Sequence, residues 1–542
     1  MRSTMQNVPL TVQAIMRHAC TVNGDRTVTT ATGEGGYQTL TYRELGEQVA
    51  RLANGLRAIG ITGDERVATF MWNNTEHLAA YLAAPSMGAV LHTLNIRLSP
   101  EQVAFVANEA EDRVIIVDVS LAPLLAPVLA MLDTVDTVIA VGEGDTGALA
   151  GKTVLRYSDV IAYASPTFEW PELDENSAAA MCYTSGTTGP PKGVVYSHRS
   201  TYLHSMSVCT ANALDIGCRD SVLPIVPMFH ANAWGLPYGA LMAGADLVLP
   251  DRFLDAPSLI DLIEMRRPTV AGAVPTIWND VLHTLEKTGG HDISSLRVVA
   301  CGGSAVPTSL MQAFEENHDV PIKQAWGMTE TSPLATVAWP LPGTPDDQRW
   351  ALRSTAGRPM CGVETRIVDD AGNPLPHDGK AVGELEVRGP WITAGYYGGR
   401  DNSKFDNGWL RTGDVGRIDE QGYVTLTDRA KDVIKSGGEW ISSVELENHL
   451  VAHPAVLEAA VVGVPDERWQ ERPLAAVVLH EHAEVTAEEL RDFLADKVVR
   501  WWLPERWTFV DQVPRTSVGK YDKKTIRARH AENAYQVIHL QG

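Results

Sequence analysis

The segment Tyr183–Thr184–Ser185–Gly186–Thr187–Thr188–Gly189–Pro190–Pro191–Lys192–Gly193–Val194 follows a short apolar run, Ala178–Tyr183, that reads as a strand. Four hydroxyl side chains and three glycines let the backbone turn tightly around an anion, and Lys192 supplies a positive charge. The segment is not a GxxxxGK[ST] P-loop, because Lys192 follows two prolines and precedes Gly193 instead of a hydroxyl residue. The chain is therefore read for a nucleotide held outside the ordinary NTPase framework.

Around this loop the hydrophobic pattern alternates between strand and helix. Tyr42–Leu56 has helical spacing, Arg66–Met71 reads as a strand and Ala79–Met87 as a helix. Short β-rich runs recur at Arg113–Val117, Thr134–Val141, Asp220–Ile225, Asp246–Leu249, Val270–Ala273 and Leu296–Ala300. Such alternation produces parallel sheets covered by helices. Thr365–Asp369, Gly383–Arg388 and Tyr423–Thr427 suggest a strand-rich, more antiparallel portion, and Pro342–Gln348 reads as a polar loop. The charged run Asp428–Asp432 is read as ending the strands. Beyond it come helix Val444–Leu450, strands Val456–Val464 and Leu474–Leu479, and helices Ala487–Val498 and Lys523–Arg529. The expected α/β fold is a large N-terminal domain, residues 1–429, with layered αβ subdomains and a strand-rich portion, plus a small mobile C-terminal αβ domain, residues 430–542.

Length and charge narrow the function. At 542 residues the chain exceeds one ordinary core. With 45 basic against 67 acidic residues its formal charge is −22, a field that repels nucleic acid and anionic lipid. Small anions still bind where local cations gather. No run of about 18 apolar residues offers a membrane span, and the N-terminus lacks an apolar signal core, so a cytoplasmic protein is expected. The six cysteines show no CxxC spacing and read as free thiols, not structural zinc ligands.

Five motifs occur in one order: the loop 183–194, Gln324–Glu330, Thr412–Asp414, Asp428–Trp440 and Pro514–Lys520. In this order the chain resembles, from end to end, an acyl-CoA synthetase of the adenylate-forming superfamily that includes peptide synthetase adenylation domains and luciferases. Pro227–Gly235 and the Ser436–Ser442 stretch look most like medium- and long-chain fatty acyl-CoA ligases. The resemblance implies two half-reactions: a carboxylate and Mg·ATP give acyl-AMP and pyrophosphate, then the thiol of coenzyme A displaces AMP. The alternatives are a CoA ligase for a short-chain, aryl or sulfur-containing acid, or another acyl-adenylating enzyme. Relatives of this kind imply a homodimer; the acidic charge and the lack of an apolar run imply no nucleic-acid or integral membrane contact.

The resemblance also implies residue roles. Thr184, Ser185, Gly186, Thr187, Thr188, Gly189 and Lys192 would hold the β- and γ-phosphates, with Thr184 and Glu330 at Mg²⁺, which takes oxygen ligands and keeps waters. Gly302, Trp326, Gly327, Met328 and Thr329 would surround adenine, and Gly303 would lie in the wall toward the acyl group. Trp326 stands where many relatives have Tyr; its indole stacks but lacks the phenolic hydroxyl. Asp414 and Arg429 would hold the ribose. Lys520 would bridge the carboxylate and α-phosphate, with Lys435 as a second cation and His230 near the same groups. Lys431 would be the hinge, and Gly437, Gly438 and Glu439 one side of the pantetheine tunnel. Trp234, one turn beyond His230 if that segment is helical, would gate the acyl channel; Trp440 is either its counterpart or packing. Val208, Leu214, Val226, Met228 and Trp234 suggest an apolar acyl region.

Overall fold

The computed structural model describes residues 1, 3–184, 190–429, 432–436, 439–516 and 520–540, and for Glu439 and Trp440 the backbone alone. Among the described residues, strands assemble into four sheets. The first has seven strands in the order Thr153–Arg156, Thr137–Val141, Asp112–Asp118, Arg66–Phe70, Val90–Thr93, Ala178–Tyr183 and Gly193–Ser197. It is parallel until the last pair, which is antiparallel and carries the phosphate-loop motif at its turn. The second has nine strands, with a parallel centre that includes Ser221–Pro224, Val270–Ala273, Val298–Gly302 and Ile322–Gly327.

Parallel strands covered on both faces carry near-continuous apolar runs. Val114–Val117 and Val270–Ala273 are buried throughout. Helix Tyr42–Ala58 begins at a capping box made by Thr41 and Glu44, which satisfies two orphan donors, and buries Leu45, Val49, Leu52 and Leu56 on one stripe. Helix Thr75–Ser86 is buried at every position but Glu76, wedged between the two large sheets.

The antiparallel sheet contains Glu364–Val368, Gly383–Arg388, Phe405–Asp406, Trp409–Ile418 and Val424–Arg429. Asp428 and Arg429 do not end this pairing as read from their charge; they are its last rungs, opposite Val415 and Asp414. Ladder hydrogen bonds there outweigh the low strand propensity of Asp. The polar loop expected at Pro342–Gln348 also differs, since a helix runs over Asp346–Arg353. Asp346 and Asp347 sit in its first turn, where carboxylates favour the positive helix end.

A smaller C-terminal subdomain surrounds a six-stranded sheet built on Val456–Asp466 and Gln470–Leu479, with helices Ser443–Val451, Ala487–Ala495 and Lys523–Ala531. The expected division at residues 429 and 430 falls beside residues 430–431, outside the described residues. On either side a buried polar cluster joins the parts. Asp428 accepts from the Ser443 N–H at 2.9 Å, Ser442 Oγ donates to the Thr427 carbonyl at 2.6 Å, and Lys523 Nζ lies 2.8 Å from Glu447 Oε1. Burial pulls the Lys523 ammonium down, but Glu447 and Asp428 outweigh it and raise it.

Candidate active site

A cavity of about 290 Å³ opens between the strand ends of the nine-stranded sheet, the antiparallel sheet and the C-terminal subdomain. Its described lining carries six cations, Lys192, Lys323, Lys404, Arg411, Arg429 and Lys520, against one carboxylate, Glu330. In a chain of charge −22, that local reversal of sign is what an anionic ligand requires.

The phosphate loop is pinched at its base. Tyr183 pairs with Gly193; then the Thr184 N–H donates to the Lys192 carbonyl at 3.0 Å, and the Lys192 N–H donates to Thr184 Oγ1 at 3.1 Å. This holds Thr184 and Lys192 side by side at the cavity wall. The Lys192 ammonium pairs with Asp401 and lies 5.1 Å over the Tyr396 ring. Its hydrogen bond holds the Asp401 carboxyl below the usual carboxylate range. Residues 185–189, also expected at the phosphates, lie outside the described residues.

Glu330 is buried, with 6% of its surface exposed, in a short turn over Thr329–Thr331. Tyr396 donates its hydroxyl to Glu330 Oε1 at 2.6 Å, and Tyr196 donates to the Thr329 carbonyl at 2.7 Å. One carboxylate oxygen is thus fixed by a phenol, and the carboxylate faces a basic cavity. The set fits a Mg²⁺ ion, a hard cation that binds through one or two carboxylates while phosphates and waters complete it. Among the described residues no group of three or more His, Cys, Asp and Glu is placed to hold a metal by itself.

Trp326, Gly327, Met328 and Thr329 form one wall. The Trp326 Nε1–H donates to Asp414 Oδ2 at 2.9 Å, so the indole has its own polar anchor in place of a phenol. Asp414 also faces Arg429 Nε at 3.2 Å and is buried behind the lining. Beneath the wall, Gln324 Oε1 accepts from the Val306 N–H at 2.6 Å and ties the turn after Gly302 to the neighbouring strand. Gly302 is required there, since a Cβ would stand 2.5 Å from the Ala325 carbonyl oxygen.

Lys520 arrives from the C-terminal subdomain. Its N–H donates to Thr516 Oγ1 at 3.2 Å, and its Cε stands 3.8 Å from where a Cβ on Gly303 would be. His230 faces the same end of the cavity. Burial first, then the charges of Lys520 and Arg97, push its imidazole down to about 3, so it is neutral at pH 7. The segment after it is not an α-helical turn. Ala231, Asn232, Ala233 and Trp234 have φ of 43°, 50°, 50° and 58°, and Gly235 has 71°. A left-handed run of four non-glycine residues costs about 1–2 kcal/mol per residue. It persists because its surroundings over-determine it: Cys182 Sγ donates to Asn232 Oδ1 at 3.1 Å, and the Ala233 N–H donates to the His230 carbonyl at 3.1 Å. The turn sets Trp234 against the cavity and not along a helix face.

Val208, Leu214 and Trp234, read from the sequence as an apolar region, line the cavity. Val226 and Met228 do not: both are buried in the core between the two large sheets. Lys435 is exposed on the strand Ile434–Ser436, away from the cavity lining. Lys431, Gly437 and Gly438 lie outside the described residues. Glu439 and Trp440 are placed only as backbone partners of Ser436 and Lys435. Tyr396, Lys404, Arg411 and Lys323, which line the cavity, and Asp401, which pairs with Lys192 at its wall, were missed, because none falls within one of the five motifs.

Comparison with known proteins agrees with this geometry. Residues 16–397 match the family model for AMP-binding enzymes, and residues 445–520 match the model for the AMP-binding enzyme C-terminal domain. A 3-methylmercaptopropionyl-CoA ligase of Ruegeria pomeroyi is 42% identical over 531 residues, 97% of this chain and 98% of that protein. A medium-chain-fatty-acid–CoA ligase of Ectopseudomonas oleovorans is 41% identical over 536 residues, 98% of each chain. The crystal structure of an anthranilate CoA ligase in complex with anthranoyl-AMP superposes with a TM-score of 0.88 at 26% identity, covering 98% of this chain and 100% of that one. The two family models and these relatives, together with a basic cavity that a lysine reaches from the matching C-terminal domain, place the chain in the AMP-binding enzyme family, as an adenylate-forming CoA ligase that uses Mg·ATP and CoA.

Proposed function

We propose that the protein activates a slender carboxylic acid of short to medium length, about five or six carbons, as its acyl-adenylate and transfers the acyl group to coenzyme A. The observation that carries this reading is a single cavity that joins the phosphate wall, the Lys520 ammonium and an apolar trough. The length follows from the trough floor: Ala300 lies two residues below Gly302 and pairs with Lys323, so the floor runs about 7 Å at 3.3 Å per residue before the lysine interrupts it.

A carboxylate oxygen of the acid attacks the α-phosphorus of ATP, and pyrophosphate leaves. Lys520 neutralises charge as it builds on the α-phosphate, while Lys192 and Thr184 hold the β- and γ-phosphates. Glu330 and Thr184 would hold a Mg²⁺ ion, which would supply further neutralisation of the leaving pyrophosphate. Trp326 stacks on adenine, and Asp414 with Arg429 holds the ribose. Neutral His230 gives the carboxylate a hydrogen-bonding neighbour that adds no charge. In the second half, the CoA sulfur attacks the acyl carbonyl carbon, the thiol proton passes to solvent and AMP leaves. Lys431, with the boundary beside it, is the hinge for that change of pose, and Gly437–Gly438 serve the pantetheine arm.

The matched relatives include ligases named for a sulfur-containing acid, a medium-chain fatty acid and an aromatic acid, so family membership leaves chain length open, and the short trough floor supports the proposed range. The test is AMP and CoA-thioester formation over straight acids from acetate to palmitate, with benzoate and 3-methylmercaptopropionate. Each added methylene is expected to raise kcat/KM about fourfold, at ~0.8 kcal/mol per CH₂, up to the stated length, and activity then falls. A maximum at palmitate overturns the length, and no AMP with any acid overturns the ligase reading.

A further inference from the structure

We propose that the acyl trough ends in a cation, Lys323, that selects acids with an oxygen acceptor at their far end; this deepens, and rests on, the acyl-CoA ligase reading above. On the cavity face of the sheet, Ala300 pairs with Lys323 and Gly302 with Ala325. Three of these four positions are small, so they leave a slot. The fourth closes it with a long stem and an ammonium.

Strand alternation places Lys323 on this face. Its neighbours Ile322 and Gln324 point the other way and are buried, Ile322 in the core beneath the sheet. Lys323 Nζ donates to the Ala213 carbonyl at 2.6 Å and lies 4.9 Å over the Trp339 ring. An ammonium has three donors, and one carbonyl takes one of them. Lys192, Arg411 and Arg429 each pair with a carboxylate, whereas among the described residues no carboxylate stands within ion-pair distance of Lys323. Asp215 contributes attraction at longer range, but its carboxylate is paired with Arg219. Burial and the charge of Arg297 make the Lys323 ammonium more acidic than usual.

A methyl terminus laid against this group would strip water from a cation and return nothing. A carboxylate, hydroxyl or carbonyl oxygen in the same place returns a charge-assisted hydrogen bond. The slot therefore discriminates by the distal atom as well as by length, and an anionic end is favoured over a neutral one.

The experiment compares kcat/KM for hexanoate, 6-hydroxyhexanoate and adipate in the full-length wild type, Lys323→Met and Lys323→Arg, read as AMP release with ATP and CoA. Wild type is expected to prefer adipate, then the hydroxy acid, over hexanoate. Lys323→Met keeps an unbranched side chain without the charge, and should lower the adipate-to-hexanoate ratio at least about tenfold. Lys323→Arg should keep the wild-type order. An unchanged ratio in Lys323→Met, or a wild type that prefers hexanoate over both oxygenated acids, overturns the proposal and leaves the ligase reading standing. Should Lys323→Met not fold, the wild-type and Lys323→Arg orders decide alone. Should no acid yield AMP, the ligase reading falls and this proposal with it.

Discussion

Lys520 reaches the cavity from the end of the chain, against Gly303 in the turn after the strand Val298–Gly302, more than 200 residues earlier, and that placement divides its expected effect between the two half-reactions. Its ammonium adjoins the end of the cavity shared with His230, where the proposed adenylation would build charge. Lys520→Ala is expected to slow acyl-AMP formation by about 10²–10³. Synthetic acyl-AMP plus CoA should still give thioester at near the parent rate. Equal loss in both assays, in a folded variant, would show that Lys520 serves both poses. At this scale the motifs were legible where several chemical constraints met in one short stretch: Thr184 with Lys192, Trp326 with Glu330, and Gly302 with Gly303. Tyr396, Asp401 and Lys323 were not, because a tyrosine, an aspartate and a lysine in ordinary loops and strands become site residues only when the topology brings them there.

At the scale of elements, periodicity found the helices and strands, since their apolar faces must match the two large sheets. It missed the Ala231–Trp234 turn because no local pattern asks four non-glycine residues to adopt left-handed backbone; tertiary contacts impose it. Gly235 ends that turn at φ 71°, and a Cβ there would stand 2.6 Å from His204 Nδ1. The His204 ring is buried, and its Nε2 accepts from the Leu334 N–H at 3.1 Å, so it has little room to retreat. Gly235→Ala is expected to cost about 2–5 kcal/mol, combining overpacking with left-handed strain. Gly398→Ala is the control, because its φ of 70° and ψ of 10° match the 71° and 3° of Gly235 and no atom lies within 4 Å of its Cβ position; it should cost about 1 kcal/mol. The readout is the midpoint of urea unfolding. Equal midpoints for the two variants would mean that the turn adapts, and that His204 does not fix it.

Across the whole molecule, joining two large sheets around one buried helix places histidines where a charge is unaffordable. His77 and His198 have no exposed surface and His204 has 2%. Burial pushes His77 and His198 down to about 4 and His204 down to about 3. Each has a defined neutral role; His198 Nδ1, for example, accepts from the Val12 N–H at 3.2 Å and ties the N-terminal helix to the large domain. In the unfolded chain these rings titrate near pH 6.5. As pH falls through about 6.5 toward 4, the unfolded state takes up protons that the native state refuses, and native stability drops by up to about 1.4 kcal/mol per pH unit for each ring. Carboxylates contribute their own pH dependence, so a single substitution is needed to isolate one histidine. His198→Gln should destabilise at pH 8, where it loses a well-placed acceptor, but that deficit relative to wild type should shrink by about 2 kcal/mol on going to pH 5. Reversible urea unfolding followed by tryptophan fluorescence at both pH values measures the difference directly. Stability curves that stay parallel from pH 8 to pH 5 would show that His198 is protonated equally in both states, and that water or a rearranged partner reaches it in the native fold.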